Sequence, residues 1–165
     1  MINPFWFRLA RVKTLYMKMK PQNYPFELDN DLSELKTLNT HLSAFGRNIG
    51  LPELSISELN ICLDELFTNI VLYGFNDDLK HKIKFTLTVD DNILTATIED
   101  DGVPFNPLKK KAVDLPTNVD DAEIGGLGIH ITKKLVDKIS YKRKRGINRV
   151  TVRKNIGTNE TAITT

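Results

Sequence analysis

Apolar residues recur along this chain at two different spacings, and the switches between those spacings mark out its elements. Alternation over Tyr24–Leu28 predicts a short strand. From about Asp31 to Asn48, Leu32, Leu35, Leu38, Leu42 and Phe45 fall at helical spacing and form one apolar stripe, which Gly50 and Pro52 end. Ser55 followed by Glu58 is a capping-box pattern that opens a second helix over 55–73. Leu59, Cys62, Leu63, Leu66, Phe67 and Ile70 give that helix a broad core face, and Gly74 is expected to stop it. Period two then takes over: Lys82–Val89 and Ile93–Asp100 flank Asp90-Asp91-Asn92 as a hairpin. A helix from about Gly126 to Lys138 leads to a closing strand pair, Ile139–Lys144 and Asn148–Lys154, around Gly146. Helices before and between such strands predict an α+β fold, a two-layer sandwich whose mixed, mostly antiparallel sheet is covered on one face by helices.

Composition narrows the picture without changing it. At 165 residues, 41% apolar and 27% charged, the chain reads as one globular domain over 21–154. Residues 1–20 read as an N-terminal extension and 155–165 as a frayed, threonine-rich tail. The extension is apolar and basic, and three readings stand open for it: a surface-lying helix, a partner-binding arm or an over-long gene start. No apolar run approaches the ~20 residues of a membrane helix. The single Cys62 excludes an internal disulfide and a cysteine-rich zinc site, and it reads as a buried structural thiol in a reducing compartment.

A net charge of +2 conceals a segregation. Residues 21–132 hold 8 basic side chains against 19 acidic ones, whereas residues 133–154 hold 10 basic ones against Asp137 alone. That basic stretch lacks interleaved aromatics beyond Tyr141, which argues against nucleic acid. A solvated face, or a docking patch for an acidic protein, fits it better.

Glu65 and Asn69 lie four positions apart on the second helix, so they project from one face of it. Taken alone they suit the polar edge of an amphipathic helix. They also suit a metal-and-base pair, in which a neutral amide oxygen ligands Mg²⁺ and a carboxylate accepts a proton. In the strand 93–100, alternation puts Asp100 on the side of Leu94, Ala96 and Ile98. A carboxylate on an apolar face needs donors, and an adenine amine is one, with Gly102 allowing a planar ring to approach. A turn-initiating Asp in Asp-Asp-Gly is the plainer alternative.

Gly125-Gly126-Leu127-Gly128 opens an apolar helix whose exposed amides would attract phosphate oxygens, or whose glycines serve only close packing. The sequence is neither a Walker A loop nor a dinucleotide fingerprint. Between Asp101 and Gly125 runs a loop long enough to form a lid, with three lysines at 109–111 that read as a solvated charge run or as phosphate contacts.

In this order the segments resemble the GHKL ATPase superfamily, and within it the RsbW-like anti-sigma-factor serine kinases, over roughly Tyr24 to Lys154. Glu-Leu-Phe-Thr-Asn (65–69) resembles the N box of that family. Asp-Asp-Gly-Val-Pro-Phe-Asn-Pro (100–107) resembles its first glycine box, and Gly-Gly-Leu-Gly-Ile-His (125–130) its second. The resemblance implies a Bergerat-type ATP-binding fold, with ATP and Mg²⁺ between helices and sheet. It implies Glu65 as general base, Asn69 as Mg²⁺ ligand, Asp100 on the adenine amine and Gly102 beside the ring. Gly126 and Gly128 would line the phosphates, with Phe105, Gly125 and Leu127 as neighbours in the same boxes. Asn148 would face inward where relatives often place a hydroxyl. Tyr73 stands where many relatives have His, so that residue's contacts do not carry over.

The activity implied is that of a cytoplasmic serine/threonine kinase. It would phosphorylate a small STAS-type antagonist protein and sequester a sigma factor when the antagonist is absent. A homodimer is common in the family, although no residue pattern here marks an interface. Two alternatives stay open: a nucleotide-gated binding protein without turnover, and a histidine-kinase-like ATPase domain. The latter calls for an upstream dimerisation segment bearing an acceptor His, for which residues 1–50 are too short, and His41 reads as a surface or capping histidine.

Overall fold

The computed structural model describes residues 22–109 and 127–157. Five strands form one sheet: β1 (Gln22–Asp29), β2 (Lys82–Asp90), β3 (Ile93–Asp100), β4 (Lys138–Lys144) and β5 (Ile147–Asn155), in the order β1-β2-β3-β5-β4. Every strand pair is antiparallel, so the sheet contains no parallel pairing. Three helices, α1 (Leu35–Asn48), α2 (Glu53–Tyr73) and α3 (Leu127–Leu135), complete the described elements, apart from 3₁₀ turns at Leu32–Glu34 and Pro107–Lys109. This is the helix-covered sheet expected of the sequence. The β2–β3 and β4–β5 connections are two-residue turns with positive φ at both positions, Asp91-Asn92 and Arg145-Gly146, the geometry that suits the strand twist.

The core lies between the layers. Ile83, Phe85, Leu87 and Val89 of β2, Leu94, Ala96 and Ile98 of β3, and Val150 and Val152 of β5 are buried on one sheet face. Leu38, Leu42 and Phe45 of α1 cover them, together with Leu59, Cys62, Leu63, Leu66, Phe67 and Ile70 of α2. Cys62 is fully buried, and desolvation pushes its thiol up to about 11, so it packs as an inert apolar side chain. No described helix is long and apolar enough to cross a membrane.

Four sequence expectations change in detail. Helix α2 begins at Glu53 with Pro52 as its N-cap, and no side chain caps it. The 55/58 capping box therefore does not form: Ser55 already sits inside the first turn, and Glu58 instead pairs with Lys154 at 3.0 Å. Leu32 belongs to a 3₁₀ turn ahead of α1 and stays exposed rather than joining the stripe. Helix α3 ends at Leu135, because Lys138 is already paired with Arg153 in the sheet. His41 is neither a cap nor a free surface group. Its ring stacks on Phe26 at 4.2 Å and its Nδ1 meets the Tyr24 hydroxyl at 2.8 Å.

The connection from α2 to β2 is fastened by His81. Its Nε2 meets Asp77 at 2.9 Å, its Nδ1 meets Asp101 at 3.0 Å, and its ring stacks on Phe75. Two carboxylates on the two ring nitrogens favour the imidazolium, since only the charged ring donates from both. The bond to Asp77 is the larger influence raising the His81 pKa above its ordinary 6.5, and the bond to Asp101 adds to it. A raised pKa stabilises the fold fully below the unfolded value and ceases to do so as pH climbs through the folded value. Urea unfolding of wild type and His81→Gln should therefore differ most below about pH 6.5 and converge as the pH rises above it. A gap independent of pH would contradict the assignment.

Candidate nucleotide site

Helix α2 has its apolar face in the core, and Glu65 and Asn69 lie along one edge of that face. Asn69 is only 3% exposed. Its Nδ2 donates to the Glu65 backbone carbonyl at 2.7 Å and to Glu65 Oε1 at 2.6 Å. Both of those partners are acceptors, so the amide orientation is set and Oδ1 is turned away from them. Oδ1 accepts no bond from any described residue. A hard, neutral, unoccupied amide oxygen beside a carboxylate fits a Mg²⁺ ligand. No cluster of three or more His, Cys, Asp or Glu side chains suited to a metal occurs among the described residues.

Glu65 also touches the third helix. A Cβ added to Gly128 would overlap the Glu65 carboxylate, so the glycine is what lets the start of α3 approach that group. The structure thereby brings the 65–69 segment and the second glycine segment together. Leu127 begins α3. Gly125 and Gly126 lie outside the described residues, as does most of the expected lid.

Asp100 ends β3 with its side chain on the core face, 5% exposed. Burial pushes its carboxyl above the ordinary aspartate range, while bonds from Asn148 and the Gly102 amide pull it back. Asn148 Nδ2 donates to Asp100 Oδ1 at 2.7 Å, and Gly102 N–H to the same oxygen at 3.0 Å. The second of these is the Asp-x-Gly turn contact, so the turn reading and the buried-acceptor reading of Asp100 hold together. Oδ2 is left without a donor from any described residue, and it fits an exocyclic amine.

Gly102 lies against the end of α2. Val103 N–H donates to the Gly74 carbonyl at 2.7 Å, and a Cβ at Gly102 would overlap that same carbonyl. Gly74 thus ends α2 in ordinary right-handed geometry (φ −85°), and its carbonyl seats the glycine loop. Half-buried Phe105 lies 5.9 Å from Tyr73, ring centre to ring centre.

Cavity volume alone does not pick out these residues. A cleft of about 560 Å³ between Asp29–Glu34 and Phe75–Lys80 contains none of them, and one of about 430 Å³ touches Asp100 alone.

A family model described as the histidine kinase-like ATPase domain matches residues 28–154, most of the chain. The chain belongs to this ATPase-domain family. Among curated relatives, the serine/threonine-protein kinase BtrW of Bordetella bronchiseptica is 30% identical over 94 residues, which cover 57% of this chain and 66% of that protein. The serine-protein kinase RsbW of Bacillus velezensis is 28% identical over 111 residues, covering 64% and 69%. The anti-sigma F factor of Bacillus subtilis is 25% identical over 85 residues, covering 52% and 58%. The matches thus span 58–69% of these proteins' own length.

In fold, the chain resembles a crystal structure of RsbU and RsbW domains from Mycobacterium tuberculosis. The TM-score is 0.60 at 16% identity, covering 82% of this chain and 32% of that one. It also resembles a blue-light activated histidine kinase from Erythrobacter litoralis, with a TM-score of 0.52 at 19% identity, covering 77% and 43%. The expected GHKL-type ATPase domain with RsbW-like relatives is what these matches describe.

Sequence reading missed two neighbours of the site in this ATPase domain, Tyr141 and Arg143. Both bond to Asn148 Oδ1, at 2.7 and 2.6 Å. The strand parity that turned Asn148 inward also turns these two inward, alongside Ile139, so the signal was present in the alternation.

The two close glycines should respond differently to substitution. Gly102→Ala drives a methyl into backbone that cannot retreat, and should cost about 1–3 kcal/mol in urea unfolding. Gly128→Ala meets a movable carboxylate, and should leave the unfolding midpoint nearly unchanged while displacing Glu65. Equal destabilisation by both variants would contradict this account.

Proposed function

We propose that the protein is an ATP-dependent serine/threonine protein kinase of the anti-sigma-factor type. It phosphorylates a small STAS-type antagonist and, when unphosphorylated antagonist is scarce, holds a sigma factor or similar regulator in the cytoplasm. The observation that carries this reading is the Glu65–Asn69 pair, hydrogen-bonded at 2.6 Å and packed against Gly128 at the start of α3. A binding protein without turnover has no need of a carboxylate at that point. The printed names of the relatives, serine kinases and anti-sigma factors alike, support the same reading.

In this account Asp100 accepts the adenine amine, and Gly102 with Phe105 borders the ring. The start of α3 at Leu127 and Gly128 would border the phosphates, where helix-start amides and dipole favour anions. Asn69 would hold Mg²⁺, which when bound neutralises charge on the transferring phosphoryl group. Glu65 accepts the proton of the attacking seryl hydroxyl. The Oγ–P bond forms as the bond between the γ-phosphorus and the β-bridging oxygen breaks, and ADP leaves. Positioning and charge neutralisation carry most of the acceleration in phosphoryl transfer.

Glu65→Gln should retain ATP binding yet slow transfer to an antagonist by about 10²–10⁴-fold, as loss of a general base does. Asn69→Ala should lose the Mg²⁺-dependent part of ATP binding. Incubation of purified protein and antagonist with γ-labelled ATP, beside a binding titration with and without Mg²⁺, checks both. Wild-type transfer by Glu65→Gln would remove Glu65 from the mechanism. Absence of any phosphoprotein with the wild-type kinase would favour a nucleotide-gated binder.

A further inference from the structure

Asp100, Asn148 and Arg143 face one another directly across three adjacent strands, in the registers Asp100↔Asn148 and Arg143↔Asn148. The Asn148 side chain in the middle has every hydrogen-bonding position used. Its Oδ1 accepts from the Tyr141 hydroxyl at 2.7 Å and from Arg143 Nη1 at 2.6 Å. Its Nδ2 donates to Asp100 Oδ1 at 2.7 Å and to the Val103 carbonyl at 2.9 Å. Arg143 Nη1 also reaches the Gly102 carbonyl at 2.8 Å, so one guanidinium holds both the amide and the glycine loop.

The chemistry of these groups has a direction. A guanidinium has no acceptor, so Arg143 forces the oxygen of the Asn148 amide toward β4. The amide nitrogen must then face Asp100. A rotated amide would aim its oxygen at the carboxylate and its protons at a cation, which both partners oppose. Asp100 Oδ1 is thereby filled by two donors, from Asn148 and Gly102, and Oδ2 is left as the acceptor. A carboxylate held in that state receives an amine and repels a carbonyl oxygen.

Resting on the nucleotide reading above, we infer that Arg143 and Tyr141 are positioning residues for base selection. Through Asn148 they keep Asp100 an obligate acceptor, and so make the site choose a 6-amino purine over a 6-oxo purine. Neither residue need touch the nucleotide. Arg143 is largely exposed apart from the inserted nitrogen, so its replacement leaves the core intact. Its charge also opposes the upward pull of burial and of the neighbouring Asp101 charge on the Asp100 carboxyl, although less than the Asn148 and Gly102 bonds do. Without it the carboxyl takes a proton at higher pH and can donate to a 6-oxo group.

The test is a calorimetric titration of the full chain with ATP and with inosine triphosphate, which differ at the 6-position. Wild type should favour ATP roughly tenfold or more, the discrimination expected of one charge-assisted bond. Arg143→Met should narrow that ratio at least about threefold, with Tyr141→Phe narrowing it less and Arg143→Lys restoring part of it. ATP affinity of Arg143→Met should also begin to fall at a higher pH than that of wild type as the solution is acidified. An unchanged ratio in Arg143→Met, or equal weakening toward both nucleotides, would overturn the inference and leave nucleotide binding standing. Wild type binding neither nucleotide would overturn the nucleotide reading itself, and this inference with it.

Discussion

A carboxylate at the end of a core strand sets the terms for everything around it. An unpaired charge buried as deeply as Asp100 costs several kcal/mol, and the group would neutralise itself if nothing compensated. Two donors compensate it here, one from its own turn and one from the next strand, each contributing about 1.5–3 kcal/mol as bonds to a charged group. Both fall on one oxygen. The arrangement keeps the charge and leaves one acceptor that no described residue fills, which is the property a site for an amine-bearing base requires.

The second constraint is closeness of backbone. Helix α2 ends where the Gly74 carbonyl receives Val103 N–H at 2.7 Å, and Gly102 passes over that carbonyl with no room for a side chain. At the other glycine, α3 comes near enough to α2 for Gly128 to lie on the Glu65 carboxylate. One helix therefore carries Glu65 and Asn69 on its edge and seats the Gly102 loop at its end. The charge segregation of the sequence serves this packing in part. Lys154 of the basic stretch pairs with Glu58 of α2 and donates to the Leu135 carbonyl at the end of α3, fastening sheet to helices. Arg143 likewise turns one nitrogen onto the Gly102 carbonyl, although it is otherwise as exposed as Lys142, Lys144, Arg145, Arg149 and Arg153.

Periodicity carried most of the fold. The strands and helices lie within a few residues of where the alternation and the 3.6-residue stripe put them, because burial of one face is what those patterns encode. Helix starts were less legible. Ser55 and Glu58 have the spacing of a cap, but Pro52 already turns the chain, and Glu58 finds a cation on a strand some hundred residues further on (Lys154). Sequence spacing cannot register such a tertiary partner.

Within the site, Glu65, Asn69, Asp100 and Asn148 were legible as polar residues at positions where the pattern demands apolar ones. Tyr141 and Arg143 were hidden by their own chemistry: in a stretch of ten basic residues, one more arginine reads as surface. His81 was hidden because its partners, Asp77 and Asp101, come from two different loops.

In the proposed site Asp100 holds a nucleotide by its base, while Asn69 takes part through a metal at the far end. Isothermal titration of the protein with ATP, in the presence and absence of Mg²⁺, with Asp100→Asn alongside, tests it most directly. Wild type should give saturable heat, strengthened by Mg²⁺, and Asp100→Asn should lose it. Absence of heat for wild type with Mg²⁺ supplied, or undiminished binding by Asp100→Asn, would contradict it.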